Sequence, residues 1–217
     1  LALAVVLLAT GTAGAQRPEP RVHGTYEGDK MYTVLPLDAI PAIREPTYVS
    51  GEAAARQMSS EEPVIGVVID GEARAYSTWQ LDSHEIVNDD VGGIPIAVTW
   101  CPLCHTGVVY DRRAKERTLT LLVSGKLWRN SLVMQDEETA SLWSHVSGEA
   151  LDGPLAGGEL RKLPAVQTTW KRWVAEHPDT LVLDKPGRIA GSRYEDYAED
   201  PDRYGIIRTQ HQLGKLP

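Results

Sequence analysis

Val64-Ile65-Gly66-Val67-Val68-Ile69-Asp70-Gly71-Glu72-Ala73-Arg74-Ala75-Tyr76 is the stretch that sets the fold class. A β-branched, apolar run enters Asp70-Gly71, and a second strand-like run leaves it. Asp-Gly supplies the positive-φ pair that a two-residue turn needs if its twist is to match the strands it joins. The reading is an antiparallel hairpin, and the chain keeps that texture downstream. Val91-Gly92-Gly93 turns into a strand from Ile94 to Trp100. Gly107 to Asp111 reads as a strand, Arg112 to Arg117 as a charged turn, and Thr118 to Val123 as another strand. Ser131–Gln135 and Ser141–Val146 flank a polar turn over Asp136–Thr139. Strands this closely spaced predict a mainly β (α+β) fold: an antiparallel sandwich or barrel-like sheet. One helix packs near the C-terminal end. Thr168 or Thr169 caps it, Trp170, Trp173, Val174 and His177 fall at helical spacing, and Pro178 stops it.

Farther out the signals weaken. Leu1 to Ala9 is apolar and is followed by small residues at Ala13 and Ala15, the pattern of a signal peptide over residues 1–15. The run is shorter than the roughly 20 residues a membrane-spanning helix needs. An exported protein, periplasmic or extracellular, with no membrane span after signal removal is therefore expected. Residues 16–37 form a polar lead-in, mobile through Lys30, with a possible first strand over Met31–Leu37. A single β-rich domain follows over 38–184, and a charged, Tyr-rich tail over 185–217. The net charge of -8 argues against nucleic acid, which requires a basic face.

The chemistry concentrates in Thr99-Trp100-Cys101-Pro102-Leu103-Cys104-His105-Thr106-Gly107, which holds both cysteines of the chain. A bridge across so short a loop removes little chain entropy, so stapling the fold is a poor reason for the pair. Four readings compete. In the first, Cys101 and Cys104 are catalytic and carry out thiol–disulfide redox chemistry with a partner the sequence does not name. A reactive thiolate needs a positive neighbour, and His105 and His84 are at hand. Thioredoxin would continue into a helix, whereas Gly107 to Val123 reads as strands. In the second reading, Cys101, Cys104, His84 and His105 bind zinc or copper delivered by a metal donor, with His145 as a further candidate. In the third, Cys101-x-x-Cys104-His105 attaches a c-type haem with His105 as ligand, although such sites lie mostly on helices. In the fourth, the domain is a non-catalytic extracytoplasmic interaction module.

Other residues carry softer signals. On a strand, His84 and Glu85 would point to opposite faces and could not act as one acid–base pair unless this is a turn. His84 with Asn88-Asp89 reads either as the edge of a site or as a loop. Trp79, Trp100, Trp128 and Trp143 are read as core in preference to a ligand groove, in a chain with no Phe.

The order of motifs is similar to a family of exported bacterial and archaeal proteins described only as a domain of unknown function (domain of unknown function 3179). The matching pieces are Gly71-Glu72-Ala73-Arg74-Ala75-Tyr76, His84-Glu85-Ile86-Val87-Asn88-Asp89, Cys101-Pro102-Leu103-Cys104, Ser124-Gly125-Lys126-Leu127, Ser141-Leu142-Trp143-Ser144, Gly148-Glu149-Ala150, Thr168-Thr169-Trp170 and His177-Pro178-Asp179-Thr180. The resemblance implies a common fold unit and no settled activity. Selenocysteine in the cysteine motif of some relatives implies a redox or soft-metal role for the pair. His105 stands where the family pattern usually has Gly, and His145 where it often has Gln.

Overall fold

The computed structural model describes residues 20–195, and the expected signal peptide lies outside them. The chain is mainly β, as expected, built from antiparallel ladders with few helices. Six strands form one sheet in the order Arg21–Tyr26, Asp29–Thr33, Leu121–Trp128, Ser131–Asp136, Leu142–Ser144, Ala150–Asp152. Four form a second, in the order Lys162–Leu163, Thr106–Asp111, Ile94–Cys101, Ile86–Val91. Five form a third, in the order Val166–Thr169, Pro63–Ile69, Glu72–Ser77, Leu181–Leu183, Tyr48–Ser50. Among the described strands, Leu181–Leu183 pairs with Glu72–Ser77 in parallel.

The four-stranded sheet is the middle layer. Alternation along Ile94–Cys101 sends Ala97 and Cys101 to one face and Ile96, Val98 and Trp100 to the other. The first set packs with Leu121, Val123, Leu127, Met134 and Trp143 of the six-stranded sheet. The second packs with Ile65, Val67, Tyr76 and Leu183 of the five-stranded sheet. Burial on both faces explains why this strand reads as a nearly continuous apolar run. On the far side of the five-stranded sheet lies the helix Trp170–Glu176, with Trp170 and Trp173 packed against Val64, Ala75 and Val182. Trp173 rests directly on Gly66, where a Cβ would come within 2.2 Å of its ring.

Tight turns fix the register. Asp70-Gly71 and Gly92-Gly93 both have positive φ and close the two hairpins expected at those positions. Other expectations are corrected. The lead-in, expected to be mobile through Lys30, holds a hairpin: Arg21–Tyr26 and Asp29–Thr33 pair around Glu27-Gly28, and the second strand takes in Met31–Thr33 of the possible first strand. Arg112 does not sit in an exposed turn: it is buried, and its guanidinium donates to the carbonyls of Ile96 (3.0 Å), Leu119 (2.8 Å) and Asp89 (3.2 Å). The start of the expected tail is packed as well. Lys185 is buried against Glu62, which also accepts from Ser77. Ser192 and the Arg193 backbone N–H donate to one oxygen of Asp82, whose other oxygen accepts the Trp100 indole N–H at 2.8 Å. Trp100, Trp128 and Trp143 are core. Trp79 is partly exposed and lines a shallow groove with Trp100, His105 and Gln167.

Candidate functional site

The cysteine loop, Pro102–His105, joins the two central strands of the middle sheet, Ile94–Cys101 and Thr106–Asp111. Cys101 is the last residue of its strand and pairs with Thr106 across Pro102–His105. The Cys104 N–H reaches back to the Cys101 carbonyl at 3.3 Å, and the Thr106 hydroxyl donates to the Cys104 carbonyl at 2.9 Å. These bonds fold the loop so that both sulfurs lie at the edge of the core shared with the six-stranded sheet.

That sheet brings the third member. His145 follows the strand Leu142–Ser144 and is held by its backbone: its N–H donates to the Leu132 carbonyl at 3.2 Å, and its carbonyl accepts the Tyr110 hydroxyl at 2.8 Å. The imidazole is 0% exposed, and neither ring nitrogen has a nitrogen or oxygen partner in the protein; the polar group it faces is the Cys104 thiol. A ring nitrogen and the sulfurs of Cys101 and Cys104 all lie within 4.8 Å of one another. It is the only such group of His, Cys, Asp or Glu found among the described residues.

The sulfurs are unequal. Both thiols are free, Cys101 buried at 1% exposure and Cys104 partly exposed. A hydrogen bond from the Cys101 thiol, with help from His145 and Ser131, pulls the Cys104 thiol down to about 4. The same bond to Cys104, together with burial, pushes Cys101 well up. Ser131 Oγ lies 3.7 Å from Cys104 Sγ. Backbone N–H groups of Leu132 and Cys104 face the Cys101 sulfur and favour its thiolate form. The cluster can thus carry negative charge on sulfur below the surface of the protein.

His84 and His105 are not in this group, which corrects the expected ligand set. His84 Nδ1 sits 2.8 Å from the Pro41 carbonyl. His105 is exposed at φ 48° and packs edge-on against Trp100, with ring centroids 6.0 Å apart. Trp100 points to the opposite face of the sheet from Cys101, so His105 is carried away from the sulfurs.

Glu85 neighbours His84 in sequence but belongs to a different environment. His84 and Glu85 lie in a turn, with the strand starting at Ile86. Glu85 takes a left-handed backbone (φ 57°), and its carbonyl accepts the Trp100 N–H at 2.7 Å. Burial, then the charges of Asp82 and Cys104, push its carboxyl up to about 8. Nothing in the local sequence marks this, because Glu rarely adopts positive φ.

Among the described residues, no helix is long and apolar enough to cross a membrane. Neither the curated proteins nor the solved structures include a match to this chain. The family model described as Protein of unknown function (DUF3179) matches residues 37–214, well over half of the chain. On that match, with the Cys101/Cys104 motif at the edge of its middle sheet, the chain belongs to the DUF3179 family of proteins of unknown function.

Proposed function

We propose that this protein binds a soft transition-metal ion, zinc or copper, through Cys101, Cys104 and His145. The observation that carries the reading is the His145 ring, fully buried with no nitrogen or oxygen partner and within 4.8 Å of two thiol sulfurs. Leaving a buried polar group without a partner costs about 1–3 kcal/mol, and a coordinate bond to a metal would remove that penalty at one nitrogen. Two thiolates and an imidazole form the soft donor set that zinc and copper favour. An apolar first segment fits an exported protein, periplasmic or extracellular, that receives its ion from a donor outside the cytoplasm.

The test is an anaerobic titration of the reduced chain with zinc against a chromophoric chelator. One ion per chain is expected. His145→Gln, which keeps a polar side chain of similar size, is expected to weaken binding at least about tenfold, or 1.4 kcal/mol. Absence of uptake at micromolar zinc by the folded, reduced protein would end the metal reading.

A second reading, thiol–disulfide exchange, has its own support. Cys104 combines partial exposure with a lowered pKa, the properties of an attacking thiolate, and buried Cys101 would resolve the mixed disulfide. A haem carrier draws no support from the position of His105. A non-catalytic module would leave the burial of His145 beside the thiols without a purpose.

A further inference from the structure

The metal reading leaves the asymmetry of the two sulfurs unused. Cys101 ends a core strand and is covered, and His145 is fully buried. Cys104 lies in the loop beyond the strand and is partly exposed. Of the three ligands, only Cys104 is open to a reagent arriving from solvent. The sulfurs lie within 4.8 Å of each other across a two-residue spacer, and a disulfide needs them to close to about 2.05 Å. Two thiolates cannot hold an ion and share a disulfide at the same time.

Resting on the metal reading, we propose that the site is redox-gated: a small organic disulfide oxidises the pair by way of Cys104, and closure of the Cys101–Cys104 bond expels the ion. In the first step, the Cys104 sulfur attacks one sulfur of the external disulfide. A protein–reagent S–S bond forms, the reagent's own S–S bond breaks, and its thiolate leaves and takes a proton from water. In the second step, the Cys101 sulfur attacks Cys104 Sγ. The internal disulfide forms, the mixed disulfide breaks, and the second thiolate leaves and is protonated. Two electrons pass from the protein pair to the reagent, which ends as two thiols. The ion has then lost two of its three protein ligands and departs as a hydrated cation, leaving His145 alone. Reduction by an external dithiol reverses the sequence.

The experiment loads the full chain with zinc under anaerobic conditions and adds oxidised glutathione. Released zinc is read with a chromophoric chelator, and remaining thiols are counted in parallel. About one zinc should appear for every two thiols lost, and dithiothreitol should restore binding. Cys101→Ser is expected to stop at a glutathione adduct on Cys104, visible by intact mass. Cys104→Ser should react far more slowly at Cys101. Zinc retained while both thiols disappear, thiols that resist oxidation, or equal adduct formation in the two variants would each overturn the proposal. A chain that takes up no zinc before oxidant is added would instead remove the metal reading beneath it.

Discussion

Glu85 shows how far a single residue can depart from its expected behaviour. Its carboxyl is raised from 4.5 to about 8, mainly by burial. An acid whose pKa is raised by folding binds more protons in the native state between those two values. Its contribution to stability is therefore lost as pH rises through that window. The lowered Cys104 thiol acts in the opposite sense, losing stability as pH falls toward about 4. The two effects are separated by comparing the wild type with Glu85→Gln. The difference between their urea-denaturation profiles should grow from pH 5 to pH 9 in favour of the variant, reaching on the order of 2–4 kcal/mol. Parallel profiles would mean that this carboxyl titrates normally. The residue was within view in His84-Glu85-Ile86-Val87-Asn88-Asp89, yet its environment was not. The turn at Glu85 is pinned by its carbonyl accepting the Trp100 backbone N–H, fifteen residues on, and no local pattern encodes that bond. His145 posed the same problem: it enters the site only because two sheets stack, far from the cysteines in sequence.

Individual elements were more legible where backbone chemistry is local. Asp70-Gly71 and Gly92-Gly93 announce their turns because Gly accepts positive φ without strain. Arg129-Asn130 makes a turn of the same kind, with φ of 52° and 56°, but Arg gives no such signal. The hairpin over Arg21–Thr33 was hidden for another reason. It forms the outer edge of its sheet, so its first strand is largely exposed and polar and lacks a buried alternation. The helix Trp170–Glu176 is legible in its apolar spacing, but its seat is not, since that depends on Gly66 lacking a side chain. Gly66→Ala should force Trp173 off the sheet and cost about 1–3 kcal/mol, measured as a lower urea midpoint. Retention of the wild-type midpoint would show that the helix can shift freely. The two cysteine sulfurs should be unaffected, because they lie on the face of the middle sheet turned toward the six-stranded sheet.

At the scale of the molecule, the mainly β class was plain, and the three-layer stack was not. Alternation on a strand tells one face from the other, but a strand buried on both sides blurs it, as along Ile94–Cys101. Sequence also cannot say which sheet will cover which face, and that choice is what unites the candidate ligands. Tyr110 of the middle sheet holds the backbone of His145 from the neighbouring layer. The unfolded chain offers a cation two thiols close together in sequence, and the His145 imidazole joins them once the layers have docked. Coordination would then act as a clock on assembly: in a refolding experiment begun from denaturant with zinc present, capture of a tightly held ion should trail the formation of strand signal in the far ultraviolet. Capture that runs ahead of it would mean the cysteine loop alone seizes the cation and recruits the histidine afterwards.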